Sequence, residues 1–405
     1  MRRFFLAILL CTTLASQAWG GNFPSFPTFP TFPGTPWWDT AALTFWAPFD
    51  APADPLRLIK GTGSLSFTRA TTATYVPANS TTGYIETAPF GTLRITEWGA
   101  LIEGQRTNLA LQSEALGNAT NWVATTMTVD NNTAVAPDGA TTAETLTATG
   151  ANATLLQSYT GTAADYTASY YLKRKTGTGA VQVSADGTTW TSCTINASTW
   201  TRCADTRTVT VATYYHGIRL ATSGDAVYAF GGDVELGTFA SSYIGPTVAA
   251  AVTRNQDALL FPTSGNVSGV EGTMSAIIGV IAPGTTAAAG CVSVGTENAG
   301  YVLYVESILG GFTKRYDGTS VRIGNARPVY TGIKLVDNWS ASAGTFRTSV
   351  NGSAIDSDIF DGDMNVETNG TIGGWWGASN YTWIKNLRIW NRSFSDSELQ
   401  AITTP

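Results

Sequence analysis

The sequence has few charged residues and a single histidine. Of its 405 residues only 13% are charged, and the formal net charge is −6 at pH 7. Because the chain is acidic, with a sequence pI of about 4.9, it lacks the basic footprint of a nucleic-acid-binding protein. With His216 as its only histidine, chemistry that requires two imidazoles is excluded.

Patterns typical of helices are also scarce, whereas turn and strand residues are abundant. The chain has 42 Gly, an aromatic fraction of 11%, and many Thr and Val residues. Short alternating runs such as LTFWAPFD and TRTVTVAT are separated by turn signals about every 8 to 12 residues. This pattern predicts an all-β chain of tandem β-sandwich or jelly-roll modules. The only predicted helix lies at the C-terminus, with Ser395 as its N-cap and with Leu399 and Ile402 on its buried face.

The N-terminus has two segments of unusual composition. Residues 1–20 contain a basic start, an apolar stretch of about 12 residues and small residues, which is the pattern of a secretory signal peptide. A retained apolar anchor is the alternative. The stretch is short for a bilayer, so no transmembrane span is expected in the mature chain. Residues 21–40 carry a Phe-Pro-Ser/Thr repeat that predicts an extended arm.

Four cysteines are present, and two of them share a motif. Trp-x-x-Cys occurs twice, ending at Cys193 and Cys203. If these segments are antiparallel strands joined by the INAS turn, the two cysteines can form a disulfide. Export would permit that bond, whereas assembly in a cytosol would leave two buried thiols.

Two stretches resemble the modular fibre and head-spike proteins of tailed bacteriophages. They are SFTRATTATYVP and LIEGQRTNLALQSEAL, and VAPDGATTAETLT, FGGDVELGTFASSYIGPT and AVTRNQDAL extend the resemblance over residues 43–260. The C-terminal VNG turn, IGG segment and WIKNLRIWNRSFSDSELQAI ending resemble concanavalin A-like or laminin G-like lectin domains.

These resemblances imply three domains after the arm. They are an attachment domain of the phage-spike type over 41–107, a carbohydrate-binding-like jelly roll over 108–252, and a concanavalin A-like domain over 253–405. The Thr-Arg pairs at 68–69 and 253–254 leave open that the jelly roll is inserted into one larger sandwich. Glu103 and Arg106 are expected to pair with each other or with backbone at the junction.

Catalytic constellations are weak, so no enzyme is predicted. Asp233 and Glu235 lack the third carboxylate of the Glu-x-Asp-x-x-Glu pattern of concanavalin-like glucanases and are interpreted as a turn-flanking pair. His216 has no Gly-x-Ser-x-Gly partner motif and is interpreted as structural.

Two kinds of binding residues are candidates. Aromatic and amide side chains could contact a sugar at six positions: Trp375, Trp376, Asn380, Tyr381, Trp190 and Trp200. Four clustered carboxylates could hold a structural Ca²⁺, although a solvated acidic loop is the favoured interpretation: Asp356, Asp358, Asp361 and Asp363. No cofactor is otherwise expected.

The predicted function is non-enzymatic. We expect a virion structural protein, namely a fibre, spike or decoration component, that adheres to host-surface polysaccharide. Its protein partners would be other virion proteins or further copies of itself, such as a trimer. The alternative is an exported cell-surface lectin or adhesin, and the third hypothesis is a polysaccharide-degrading enzyme.

Overall fold

The computed structural model describes ten segments of the chain: 41–210, 213–280, 288–295, 301–306, 313–316, 320–323, 332–360, 366–375, 378–379 and 381–404. Side chains are described over a smaller set, which excludes residues 280–291, 295–331 and 374–380. The predictions for residues 1–40, Trp376, Asn380, Asp361 and Asp363 therefore lie outside the described residues, as does the side chain of Trp375. Within the described residues, no helix has the length and apolarity to span a membrane.

The protein is all-β, as the alternating pattern predicted. The strands before the middle module are β1 (Leu43–Ala47), β2 (Ser66–Thr68), β3 (Ala73–Tyr75), β4 (Glu86–Ala88), β5 (Arg94–Thr96), β6 (Gly99–Ile102) and β7 (Arg106–Asn108). Those of the middle module are β8 (Val123–Thr125), β9 (Met127–Ala134), β10 (Ala143–Ala148), β11 (Ala153–Thr160), β12 (Ala164–Thr176), β13 (Val181–Ser184), β14 (Thr191–Cys193), β15 (Thr201–Val209), β16 (Thr213–Leu220) and β17 (Ala226–Leu236).

The remaining elements follow the middle module. They are β18 (Val252–Arg254), β19 (Ala258–Pro262), β20 (Glu271–Val280), β21 (Ala288–Gly295), β22 (Tyr301–Glu306), β23 (Thr313–Tyr316), β24 (Ser320–Ile323), β25 (Ile333–Ser340), β26 (Thr345–Val350), β27 (Asp356–Ile359), β28 (Val366–Ile372), β29 (Gly374–Trp375), β30 (Ala378–Ser379), β31 (Thr382–Trp390) and α1 (Asp396–Thr403).

One large sandwich is built from both ends of the described chain. Its first sheet has the order β27-β26-β25-β20-β31-β6-β5, with β1 also paired to β31, and its second sheet has the order β2-β19-β28-β21-β22-β23-β24. Phe45 from the first sheet and Phe261 from the second belong to one core, with ring centroids 5.2 Å apart. This apolar layer between the sheets buries the alternate side chains of both.

The prediction of separate domains over 41–107 and 253–405 is therefore wrong. Strands β1, β2 and β6 each pair with a strand of the C-terminal segment, at Leu43–Trp390, Phe67–Leu259 and Leu101–Trp383. Short strands of three to five residues cannot bury a core alone, so the N-terminal segment completes the C-terminal sandwich. The middle module is inserted between them.

The inserted module is a second sandwich of two five-stranded sheets. Their orders are β15-β12-β17-β10-β9 and β14-β13-β16-β11-β8. Its core contains Leu146, Tyr170 and Val227 from the first sheet and Leu155 and Ile218 from the second. Because each sheet turns one apolar face inward, each also presents one outer face, and one of these carries the candidate site described below.

The two chain crossings between the sandwiches form a neck. Strand β7 enters the inserted module, β18 leaves it, and the two pair antiparallel, with Arg106 opposite Arg254 and Asn108 opposite Val252. The Asn108 amide donates to the carbonyls of Gly232 and Ile244 at 3.0 and 2.7 Å. The neck is therefore hydrogen-bonded both within itself and to the last strand of the inserted module.

Helix α1 begins as the sequence predicted. The Ser395 hydroxyl accepts from the backbone of Glu398, whose carboxylate accepts from the Ser395 backbone at 2.7 Å, which completes a capping box. Leu399 and Ile402 are buried against Trp390 and Phe394 on the outer side of the first large sheet.

Candidate functional site

A buried network of charges lies behind the neck. Five members share ion pairs with almost no exposure of their side chains: Arg69, Arg94, Glu103, Arg254 and Asp257. Arg94 joins the two carboxylates, with contacts of 2.7 Å to Glu103 and 2.6 Å to Asp257. Burial alone would raise the pKa of Glu103, but Arg254 and Arg94 outweigh that effect and hold the pKa at about 2. Glu103 is thus an ionised structural anchor.

The network also clamps the chain that leaves the inserted module. Ser242, between β17 and β18, donates its backbone N–H to Glu103 Oε1 at 2.8 Å and its hydroxyl to Oε2 at 2.6 Å. Of the two expectations for Glu103, the bond to backbone is confirmed and the pairing with Arg106 is wrong. Arg106 instead donates from Nε to the Tyr381 hydroxyl at 2.7 Å.

The carboxylates of Asp233 and Glu235 also serve the exit segment. Both are buried within β17, so their interpretation as a turn-flanking pair is wrong. Glu235 accepts from the backbone and hydroxyl of Ser241 at 3.0 and 2.5 Å, and Asp233 accepts from the backbone of Ile244 at 3.1 Å. Burial raises the pKa of both groups. Asp233 Oδ2 also accepts from the Arg202 guanidinium at 3.2 Å, whereas Asp233 Oδ1 is buried without a hydrogen-bond partner among the described residues.

His216 is buried in the core of the inserted module. Its Nδ1 lies 2.5 Å from the Tyr170 hydroxyl and its Nε2 lies 3.4 Å from Gln157 Oε1. Burial lowers its pKa to about 3, so the ring is neutral at pH 7. Gln157 in turn bonds both backbone groups of Leu111, at 2.6 and 2.8 Å. The histidine thus occupies a closed hydrogen-bonded position away from the surface.

Cys193 and Cys203 are joined in a disulfide. The two residues do not form the hairpin that the repeated motif indicated, because β14 and β15 belong to different sheets of the inserted sandwich. The bond therefore ties the edge of one sheet to the edge of the other. The segment between them crosses from sheet to sheet, which separates Trp190 from Trp200.

The outer face of the β16 sheet is the candidate binding surface. In β16, Tyr214, His216, Ile218 and Leu220 are buried, so Tyr215, Gly217 and Arg219 alternate outward. Strand register places Gln182 and Thr154 beside Arg219, Ser184 and Leu156 beside Gly217, and Ser158 beside Tyr215. We call this set, with Trp190 and Val123, the outer face.

We call the part of the outer face above Gly217, between Tyr215 and Trp190, the trough. Tyr215 is 50% exposed, and Arg219 lies four residues further along β16, about 13 Å away at strand spacing. The Trp190 ring stands 4.8 Å from the Arg219 guanidinium. Gly217, between these two aromatic residues, contributes no side chain. The Leu156 side chain lies over Gly217, since a Cβ built at Gly217 would be 2.8 Å from Leu156 Cδ2. The floor is therefore apolar.

Polar groups rim this trough. Arg219 donates from Nε to Gln182 Oε1 at 2.8 Å, and the Gln182 amide donates to the Ser192 hydroxyl at 3.3 Å. No further hydrogen bond of the Arg219 guanidinium occurs among the described residues, so its terminal nitrogens can donate to a ligand. An apolar floor, two aromatic rings and convergent donors are the elements of a site for an amphipathic ring compound.

A cavity, the junction cleft, lies beside the neck between the two sandwiches. It has a volume of about 730 Å³, and its lining includes Arg106, Thr160, Thr162, Leu236 and Tyr381. The Tyr381 hydroxyl donates to the Gln105 carbonyl at 3.2 Å, and its ring packs edge-on against Phe239 at 4.7 Å. Tyr381 is thus a wall of the cleft and also part of the junction.

The other predicted sugar contacts are not brought together. Trp200 lies on the opposite sheet, where the Lys173 ammonium is 4.9 Å from its ring and Phe230 and Tyr243 pack against it. Trp375 lies in β29, in the large sandwich. Tyr215, Gln182 and Arg219 were not predicted as binding residues, although the alternation in TYYHGIRL places Tyr215 and Arg219 on one face of the strand.

Two of the four predicted calcium ligands fall within the described residues. Asp356 and Asp358 are half-buried in β27, and Asp358 accepts from the backbone of Ile359 at 2.7 Å. Within the part of the chain that the structure describes, no group of three or more His, Cys, Asp or Glu residues is placed to hold a metal ion. The proposed calcium loop includes Asp361 and Asp363, so this prediction remains untested.

Comparisons with known proteins give only remote similarity. No protein-family model matches the chain, and no curated protein matches it. A similar solved structure is the Ruminococcus gnavus IT-sialidase CBM40 bound to alpha2,3 sialyllactose, with 15% identity and a TM-score of 0.29 over 34% of this chain and 84% of that chain.

Two other solved structures are similar to the same degree. Domain 4 of AbnA, a GH43 extracellular arabinanase from Geobacillus stearothermophilus, in complex with arabinotriose, has 15% identity and a TM-score of 0.32 over 41% of this chain and 82% of that chain. A structure described as a receptor binding domain has 13% identity and a TM-score of 0.29 over 37% of this chain and 39% of that chain. Because these TM-scores are low, we infer no ligand for this chain from them.

Proposed function

We propose that the protein is a non-enzymatic adhesion protein that binds surface glycans through the outer face of its inserted sandwich. The observation that carries this proposal is the trough between Tyr215 and the Trp190–Arg219 pair. A sugar ring has an apolar C–H face that packs on an aromatic ring, and hydroxyls that accept from Arg219 and Gln182. The apolar floor at Leu156 suits the same ligand.

The neck supports the display part of the proposal. The inserted sandwich is attached to the large sandwich by two strands, the buried charge network and the Ser242 clamp. Such an attachment presents one module at a fixed orientation, and a rigid scaffold lowers the entropy lost when the surface binds. The resemblance of Phe67–Tyr75 and Ala100–Leu109 to phage fibre and head-spike motifs supports a place on a virion.

Glycan binding is tested with single truncations on the full chain. Tyr215→Ala and Trp190→Ala should each weaken binding to a glycan-array ligand about tenfold, because each removes an aromatic contact surface. Phe90→Ala is the matched control, since Phe90 is an aromatic residue of the large sandwich that is 73% exposed. An array with no ligand for the wild-type chain would refute the binding proposal.

The virion location is tested separately. Mass spectrometry of purified particles should detect the protein in a fixed ratio to the capsid proteins. Its absence from purified particles would refute a virion role and leave the glycan-binding proposal in place, because the two experiments measure independent properties.

The disulfide favours a second candidate, an exported cell-surface adhesin. Disulfides form and persist in oxidising compartments and are rare in the cytosol. The Cys193–Cys203 bond therefore suits a chain that is secreted. Thiol titration of protein isolated from its native source should find both cysteines oxidised, and surface proteolysis of intact cells should release it. Reduced Cys193 and Cys203 in freshly isolated protein would count against export.

A further inference from the structure

We infer that the junction cleft binds a saccharide that carries a carboxylate, with the Arg106 guanidinium as its partner. This inference rests on the proposed function, because it takes the ligand class to be glycans. It adds a second site, separate from the outer face, and a charge requirement for its ligand.

The Arg106 guanidinium has N–H donors that no described residue uses. Its Nε donates to the Tyr381 hydroxyl at 2.7 Å. Its two terminal nitrogens make no hydrogen bond to any described residue, and they are not among the buried atoms that lack a partner. They therefore remain available at the cleft. A guanidinium edge with two parallel N–H groups matches the two oxygens of a carboxylate.

The Arg106 guanidinium is held in place by two aromatic rings. Its Cζ lies 4.7 Å from the centroid of the Phe239 ring and 4.9 Å from that of the Tyr381 ring. A Cβ at Gly237, whose φ is +131°, would lie 1.9 Å from Arg106 Nη1, so glycine is required to leave room for it. Two aromatic contacts and one hydrogen bond fix the group before any ligand arrives, which lowers the entropy lost on binding.

The nearest carboxylate is already engaged elsewhere. Glu235 Oε2 is 3.9 Å from Arg106 Nε, beyond hydrogen-bonding distance. Both Glu235 oxygens instead accept from Ser241, and burial raises the pKa of Glu235. Glu235 therefore leaves the terminal N–H groups of Arg106 without a hydrogen bond among the described residues.

The rest of the lining favours a saccharide over a phosphate compound. Thr160 and Thr162 offer hydroxyls, whereas Leu236, which is 51% exposed, and Tyr166 offer apolar surface. The volume of about 730 Å³ lies within the range of about 300–1,000 Å³ that is usual for small-ligand sites. Asp165 lines an adjoining cavity, so a doubly charged phosphate would be repelled more strongly than a carboxylate of single charge.

The test compares one oligosaccharide in two charge states on the full chain. Isothermal titration would use a hexuronic acid oligomer and the same oligomer with its carboxylates reduced to primary alcohols. We expect the acidic oligomer to bind about tenfold more tightly, because hydrogen bonds between charged groups are stronger than those between neutral ones. Equal binding of the two oligomers, or no measurable binding of the acidic one, would overturn the inference.

Matched variants locate the binding at the cleft without disturbing the junction. Thr162 is exposed, so Thr162→Glu places a repelling carboxylate in the lining, while Thr162→Gln has similar size and no charge. Thr162→Glu should lose about tenfold in affinity for the acidic oligomer, whereas Thr162→Gln should change it less than about twofold. Arg57→Gln removes an exposed cation elsewhere and should also have little effect. Equal losses from Thr162→Glu and Thr162→Gln would overturn the inference.

The outcomes separate this inference from the proposed function. If Tyr215→Ala loses binding to a neutral glycan and Thr162→Glu does not change binding of the acidic oligomer, the outer face is supported as a binding site and the cleft is ruled out. If Thr162→Glu weakens binding of the acidic oligomer and no ligand binds at the outer face, the cleft is supported as a binding site and the outer face is ruled out.

Discussion

Removal of the Glu103 carboxylate should destabilise the large sandwich strongly and in a pH-dependent manner. The pKa of Glu103 falls from its ordinary 4.5 to about 2 in the folded chain, and one pKa unit corresponds to about 1.4 kcal/mol. The ionised group therefore contributes about 3 kcal/mol to the free energy of unfolding at pH 7. Because the folded-state pKa is depressed, this contribution is present above pH 4.5 and is lost as the pH falls towards 2.

The substitution Glu103→Gln also removes the carboxylate partner of Arg254 and leaves Arg94 with Asp257 as its one carboxylate partner among the described residues. Arg94 and Arg254 are both buried and lie 2.7 and 3.1 Å from the Glu103 carboxylate. Removing one member of a buried pair typically costs about 3–5 kcal/mol, because the remaining charge stays desolvated. The matched control is Asp50→Asn, which breaks a pair with Arg57 whose side chains are 43% and 41% exposed. An exposed pair contributes less than about 1 kcal/mol.

The assay is urea unfolding followed by tryptophan fluorescence, between pH 7 and pH 3. At pH 7, Glu103→Gln should unfold at a clearly lower urea concentration than both the wild-type chain and Asp50→Asn. At pH 3 the difference from wild type should be smaller by about 2 kcal/mol, since the ionised Glu103 of the wild-type chain has then lost more than half of its contribution. Equal midpoints for Glu103→Gln and Asp50→Asn at pH 7 would refute a stabilising role for the network.

Three further predictions concern stability elsewhere in the fold. Replacing Cys193 with Ser opens a disulfide that joins residues ten apart and should lower the free energy of unfolding by about 3 kcal/mol; an unchanged Tm, with and without reductant, would contradict it. Burial raises the pKa of Asp337 to about 8, so wild-type stability should fall as the pH rises from about 4 to 8. Asp337→Asn should flatten that slope in Tm measured against pH. Ser395→Ala removes the N-cap of α1 and should cost about 1 kcal/mol; a Tm equal to wild type would show that the capping box contributes nothing.

The fold class could be predicted from local sequence, but the strand pairing could not. Alternation of apolar and polar residues fixes which residues of a strand face inward, and it predicted an all-β chain of sandwich modules. The partner of a strand is set by packing over the whole chain. Leu43 pairs with Trp390, and no local pattern connects positions that lie so far apart. For that reason 41–107 was predicted as a separate domain, when its strands complete the C-terminal sandwich.

The candidate site was predictable only in part, for a related reason. Trp190 was identified by residue type, but grouping it with Trp200 assumed that neighbouring segments share a sheet. The chain instead crosses the sandwich between Cys193 and Cys203, so the two rings face opposite sides of the module. Tyr215 and Arg219 were accessible to pattern analysis, since they alternate with buried residues of β16, but Gln182 joins them only through strand register.

The residues that carry the phage-fibre resemblance have a structural role that explains their chemistry. Arg69 lies in SFTRATTATYVP, Glu103 in LIEGQRTNLALQSEAL, and Arg254 and Asp257 in AVTRNQDAL. The structure brings these four together with Arg94 in the buried charge network behind the neck. Their placement depends on one another and on Ser242, and none of them contributes to the outer face or lines the junction cleft. A motif of this kind therefore specifies how an inserted sandwich is attached. The outer-face residues Tyr215 and Arg219 lie outside these motifs, whereas Arg106 lies within LIEGQRTNLALQSEAL and belongs to both the neck and the junction cleft.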